Sequence, residues 1–114
     1  MAYKAFDLTG KVALVTGGNR GIGLGMARAM AEAGANIAIW GTNEARNAEA
    51  AAALSAETGV KTQAWQVNVA DEAGVEAAFN ETVDAFGRVD SVFANAGIGK
   101  LAGTFAHMDT QAYR

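Results

Sequence analysis

Short, continuous apolar runs alternate along the chain with longer stretches in which apolar residues recur every three or four positions. The first run, residues 11–16, reads Lys-Val-Ala-Leu-Val-Thr between Gly10 and Gly17. Such a run predicts a strand buried on both faces, as parallel sheets require. Residues 21–33 predict a helix with Ile22, Met26, Ala29, Met30 and Ala33 near one face, and Gly34 stands where a left-handed C-terminal cap belongs. Residues 36–40 form a second apolar strand. Asn43 is placed to cap the next helix, Glu44 suits its positive first turn, and alanine-rich sequence runs on to Gly59. Residues 61–67 predict a third strand, polar at its start and so nearer a sheet edge. Within residues 71–86, Val75, Phe79, Val83 and Phe86 recur at spacings of three and four, an amphipathic helix that Gly87 ends. Residues 89–94 form a fourth strand. The order β-α-β-α-β-α-β predicts parallel strands joined by right-handed crossovers, with helices on the faces of the sheet.

Composition narrows the class. With 114 residues the chain is one modest domain or one part of a larger one, and its 51% hydrophobic and 18% charged content is too apolar for a disordered tail. No apolar run approaches the ~20 residues of a membrane helix. The opening residues 1–7 lack the apolar stretch of a signal peptide, so a cytoplasmic location is expected. There is no cysteine for a disulfide framework or a thiolate zinc site. A net charge of −3 without a basic run argues against nucleic acid as a partner.

The chemistry concentrates in Thr16-Gly17-Gly18-Asn19-Arg20-Gly21-Ile22-Gly23, between the first strand and the first helix. Glycines alone are a weak signal, but their place inside a βαβ unit makes a dinucleotide-binding loop a better reading than a merely structural turn. Gly17 permits a tight turn, Gly21 lets the backbone approach a pyrophosphate, and Gly23 lets the helix lie close to the strand. The unpaired N–H groups and the positive end of the helix then favour phosphate.

The Gly-x-x-x-Gly-x-Gly spacing after a threonine resembles the short-chain dehydrogenase/reductase family, in its ordinary, non-extended branch. Residues 8–15 resemble the family's lead-in, and Asn68-Val69 falls where the family has Asp-Val. Gly87-Arg88-Val89-Asp90 followed by Phe93-Ala94-Asn95-Ala96-Gly97 resembles a later family segment. The resemblance implies a Rossmann-type, doubly wound α/β sheet in three layers with strand order 3-2-1-4. It implies an oxidoreductase that transfers hydride between a nicotinamide dinucleotide and an alcohol or carbonyl substrate such as a sugar acid, a simple alcohol or a 3-oxoacyl thioester. It also implies a homo-oligomer for the complete protein. By the same resemblance the cofactor-binding residues are Gly17, Asn19, Arg20, Gly21, Ile22, Gly23, Thr42, Asn43, Asn68, Val69, Asn95, Ala96 and Gly97. Asn68 replaces an aspartate that accepts from the adenine amino group; its amide oxygen still accepts, without charge assistance. Ala94 replaces the first asparagine of the later segment. Asn95 has a structural role as a competing reading, and Asp90 reads as structural.

An NAD-type site carries a carboxylate at the end of the second strand for the ribose 2′-hydroxyl. Here that position is Gly41, followed by Thr42 and Asn43. Arg20 or Arg46 is available for a 2′-phosphate, since the guanidinium fork suits phosphate. NADP is therefore favoured and NAD stays open, with Arg20 as a solvated loop charge the competing reading. The family performs its proton transfers with a Ser, a Tyr and a Lys four residues after the Tyr. Tyr3 and Tyr113 have no Lys at that spacing, and Ser55 and Ser91 are assigned to a helix and a buried strand. No catalytic residue is assigned, and no metal site: His107 is the sole histidine. The chain is expected to be the cofactor-binding part of a longer, cytoplasmic enzyme. A non-catalytic nucleotide-binding or scaffold fragment is the alternative.

Overall fold

A computed structural model describes residues 7–17, 19 and 21–94. The elements follow as β1 (Val12–Thr16), α1 (Gly21–Glu32), β2 (Asn36–Gly41), α2 (Glu44–Thr58), β3 (Thr62–Gln66), α3 (Glu72–Phe86) and β4 (Ser91–Ala94). All three pairings are parallel and the strand order is β3-β2-β1-β4. The chain winds outward from β1 to β3 and then returns to the other side of β1. That reversal makes β1 and β4 the switch point of a doubly wound sheet.

Strand alternation divides the core in two. On one face Leu14, Ala38 and Trp40 pack with Val67, Val75, Ala78, Phe79 and Val89, which seats α3. On the other, Ala13, Val15, Ile37 and Ile39 pack with Ala27, Ala31, Ala50 and Leu54, which seats α1 and α2. Successive side chains of a strand point to opposite faces, so a strand covered on both sides is apolar throughout. The polar β3, Thr-Gln-Ala-Trp-Gln, lies at a sheet edge, as its composition predicts.

The stripe predicted for α1 is not the buried one. Gly23, Ala27 and Ala31 face the sheet, whereas Ile22 is 76% exposed and Ala29 is exposed. Small residues four apart let this helix approach the strands closely, and the strands supply the bulk through Val15 and Ile39. Three of the predicted strands are also shorter than expected. Val67 and Val89 lie just outside the strands yet remain buried, and Val67 N–H still donates to the Gly41 carbonyl at 3.0 Å; apolar runs report burial, which extends beyond the strand ends. Ser91 opens β4 and is exposed rather than buried.

Polar contacts fix the ends of the elements. Asn43 and Asp71 cap α2 and α3, accepting from Arg46 N–H and Gly74 N–H respectively, and both helices end at a left-handed glycine, Gly59 and Gly87. Asp90 Oδ2 accepts from Val12 N–H at 2.8 Å, and its own N–H donates to the Val12 carbonyl at 2.8 Å. Its other oxygen pairs with Arg88 at 2.6 Å. The carboxylate thus ties the segment before β4 to the start of β1, the structural role expected of it. Trp40 Nε1 donates to Thr82 Oγ1 at 3.2 Å, linking β2 to α3 through the core. The last turn of α3 holds no basic residue of its own. Lys61 supplies the charge instead, donating to the Ala85 carbonyl and lying 4.8 Å from the Phe86 ring centroid. Among the described residues no helix is long and apolar enough to cross a membrane.

Candidate functional site

Beyond the carboxyl ends of β1, β2 and β3 the following loops separate and leave a cleft of about 470 Å³. Three segments line it: Gly17, Asn19, Gly21 and Ile22 from the glycine loop; Trp40 to Asn43 and Arg46 from the end of β2 and the start of α2; and Val67, Asn68 and Val69 after β3. Residues far apart in sequence therefore meet at one place, because a parallel sheet brings all its strand ends to one edge.

The glycine loop has the backbone that its spacing calls for. Gly17 has φ +68°, a conformation that a side chain disfavours, and its N–H donates to the Trp40 carbonyl at 2.8 Å. Gly21 opens α1 at φ +59°, and a Cβ built there has no atom within 4 Å. Its glycine is thus required by backbone angle and not by protein crowding, which leaves free space against the helix end. Gly23 is buried and lies outside the cleft wall, consistent with close seating of α1 on the sheet. Arg20, Asn95, Ala96 and Gly97 lie outside the described residues.

Among the described residues, charge in the cleft has one sign: its lining contains Arg46 and no carboxylate. The first turn of α1 also lacks an acidic residue, whereas α2 and α3 begin with Glu44 and Glu72. The positive end of α1 is therefore not offset by its own first-turn side chains, which suits an anion arriving from solvent. Ile22, the one large hydrophobic residue that is strongly exposed among those described, lies in this wall.

Other side chains are partly committed to the protein. Asn43 Oδ1 accepts from Arg46 N–H at 3.0 Å, so the cap of α2 also holds the start of the helix that carries Arg46. Asn68 Oδ1 accepts from Ala70 N–H at 3.0 Å, and one lone pair of that oxygen remains for a ligand. Thr42 is exposed, and its carbonyl accepts from Gln66 Nε2 at 3.2 Å. Trp40 is 1% exposed, a core residue that also borders the cleft.

Asn47, which the sequence pattern does not single out, organises the back of this region. It is 2% exposed on α2. Its Nδ2 donates to the carbonyls of Gly41 at 2.9 Å and Trp65 at 3.0 Å, and its Oδ1 accepts from Asn19 Nδ2 at 2.8 Å. Both carbonyls can only accept, which fixes the orientation of the amide. One side chain thus joins the ends of β2 and β3 to the glycine loop. The only hint in the sequence is an asparagine four residues after the cap Asn43, in an alanine-rich helix. Among the described residues no group of three or more His, Cys, Asp or Glu side chains could hold a metal ion.

A glycine loop joining β1 to α1 at the switch point of a doubly wound parallel sheet defines an α/β domain of the Rossmann type. More narrowly, residues 11–114 match the model of the short chain dehydrogenase family, and the chain belongs to that family. It is 42% identical over 108 residues to a sorbose reductase of Candida albicans, covering 95% of this chain and 37% of that enzyme. The structure of L-sorbose reductase from Gluconobacter frateurii complexed with NADPH and L-sorbose matches with a TM-score of 0.77 at 37% identity, over 81% of this chain and 35% of that one. NAD+-bound xylitol dehydrogenase matches with a TM-score of 0.76 at 37% identity, over 79% of this chain and 34% of that one. The chain spans little more than a third of the length of these relatives.

Proposed function

We propose that this chain binds a nicotinamide dinucleotide in the cleft, NADP in preference to NAD, and serves as the cofactor-binding part of an alcohol or carbonyl oxidoreductase. The observation that carries this reading is the wall itself: an α1 terminus without a first-turn carboxylate, open space over Gly21, and a lining that among the described residues holds one cation and no carboxylate. These features fit the pyrophosphate of a dinucleotide. Gly17 to Ile22 would hold the pyrophosphate, Thr42, Asn43 and Arg46 the adenosine ribose, and Asn68 and Val69 the adenine. Bare Gly41 offers no carboxylate to repel a 2′-phosphate, and Arg46, with Arg20 in the loop, offers the guanidinium such a group prefers. An exposed Ile22 gains cover when a ligand lies across it. The bound nicotinamide would supply or accept the hydride. Asn95, Ala96 and Gly97 are assigned to the same cleft by family resemblance.

For the substrate we favour a sugar or polyol, because relatives named as sorbose reductase and xylitol dehydrogenase act on that class. We place the proton-transfer Ser, Tyr and Lys in the part of those relatives that this sequence does not span, with the complete protein a homo-oligomer in the cytoplasm. Titration of the chain with NADPH and NADH tests the cofactor reading. We expect NADPH to bind at least tenfold tighter, about 1.4 kcal/mol; a tenfold preference for NADH contradicts it. Oxidation of NADPH by these 114 residues alone with a panel of ketoses and aldehydes would contradict the placement of the catalytic groups.

A further inference from the structure

Gly41 is the position at which an NAD-type site carries its ribose-binding carboxylate, and its backbone does not demand glycine, because its φ is not positive. Space does. A Cβ built on Gly41 runs into Asn47 Oδ1 and comes within 2.5 Å of Asn19 Nδ2. Those two atoms are hydrogen-bonded to each other at 2.8 Å, directly across the bare Cα. Asn47 has no easy retreat: it is 2% exposed, and its Nδ2 is held by the carbonyls of Gly41 and Trp65. Any side chain at position 41 must break the pair and unseat Asn19 from the end of β2.

From this we infer that the Asn19–Asn47 amide pair is a specificity-determining lock, which keeps position 41 empty and so denies the cleft the carboxylate that selects NAD. The inference rests on the dinucleotide reading above. Selectivity then depends on a residue of α2 outside the cleft wall as well as on the residues that would touch the ribose. The same pair couples the glycine loop to β2 and β3, so breaking it loosens the loop meant to hold the pyrophosphate. An acidic residue placed at 41 with the lock intact therefore damages the cleft instead of converting it.

The test uses the full chain as wild type, Gly41→Asp, Asn47→Ala and the double variant. Thermal midpoints are measured together with dissociation constants for NADPH and NADH. Gly41→Asp alone is expected to lower the midpoint and weaken NADPH binding without a gain for NADH. In the double variant the aspartate finds room: the loss of midpoint is smaller than the sum of the two single losses, and the NADPH-to-NADH preference moves toward NADH by at least tenfold relative to wild type. Two results overturn the lock: additive losses of midpoint, or a Gly41→Asp single variant that keeps the wild-type midpoint and prefers NADH. Non-additive midpoints with unchanged preference overturn its role in selectivity and leave it a packing device. A wild-type chain that binds neither dinucleotide overturns the functional reading itself, while the midpoints still decide whether the two asparagines guard position 41.

Discussion

Asp90 illustrates how one side chain serves the frame that holds the cleft. Partial burial pushes its carboxyl up, but the Arg88 guanidinium, the Val12 N–H and the Lys11 charge together outweigh this and hold it below the ordinary carboxylate value. A depressed value in the folded state means that the carboxylate stabilises the fold above its unfolded pKa of about 3.9 and loses that contribution as pH falls through the folded value. Asp90→Asn should cost about 1 kcal/mol at neutral pH, the scale of one weakened charge-assisted bond. Thermal midpoints of both proteins across pH 2–7 check it, and the difference should shrink below about pH 4. The Gly-x-x-Asp spelling made this role legible in the sequence. Asn47 was not legible, because an asparagine in an alanine-rich helix reads as solvent-facing until the fold places three partners around it. Ile22 misled in the opposite direction: its hydrophobicity suggested the core, whereas the close approach of α1 needs Gly23, Ala27 and Ala31 there.

At the scale of elements, three helices show two kinds of N-terminus. α2 and α3 satisfy their own first turns with Asn43 and Asp71 and carry Glu44 and Glu72 beside them. α1 begins Gly-Ile-Gly-Leu and has no acidic residue there. The sequence made the Asn43 cap legible, since caps are local and depend on one side chain reaching backbone two or three residues on, whereas Asp71 reads there only as a first-turn charge. Asp71→Ala should therefore destabilise the fold by about 1 kcal/mol, read as a lower thermal midpoint, while dinucleotide affinity stays unchanged. A fall in affinity matching the fall in stability would mean that α3 is coupled to the cleft through the turn at Asn68. The exact ends of β3 and β4 were less legible, because buried Val67 and Val89 continue the apolar runs past the strand ends.

For the whole molecule, parallel pairing and layering follow from four apolar runs and three intervening helices, whereas the order 3-2-1-4 is what the family resemblance implies, because right-handed crossovers alone allow other orders. Each face of the sheet has its own core, and Leu54, with no exposed surface, anchors α2 on the face opposite α3. Leu54→Ala should cost about 2–5 kcal/mol through lost burial and the cavity left behind, measured by denaturant unfolding. The convergence of the glycine loop with the ends of β2 and β3 is a property of the whole sheet, and it gathers an anion-suited helix end, a bare Gly41 and Arg46 around one cleft. In the proposed complex a dinucleotide lies in this cleft with its pyrophosphate over Gly21. The most direct measurement is the NADPH dissociation constant of Gly21→Ala beside wild type, with thermal midpoints recorded for both. A methyl at Gly21 meets no protein atom within 4 Å and costs only the strain of a positive φ, about 1–2 kcal/mol. The expected result is a folded variant whose NADPH affinity falls by at least tenfold; a folded variant that binds NADPH as the wild type does would place the ligand elsewhere.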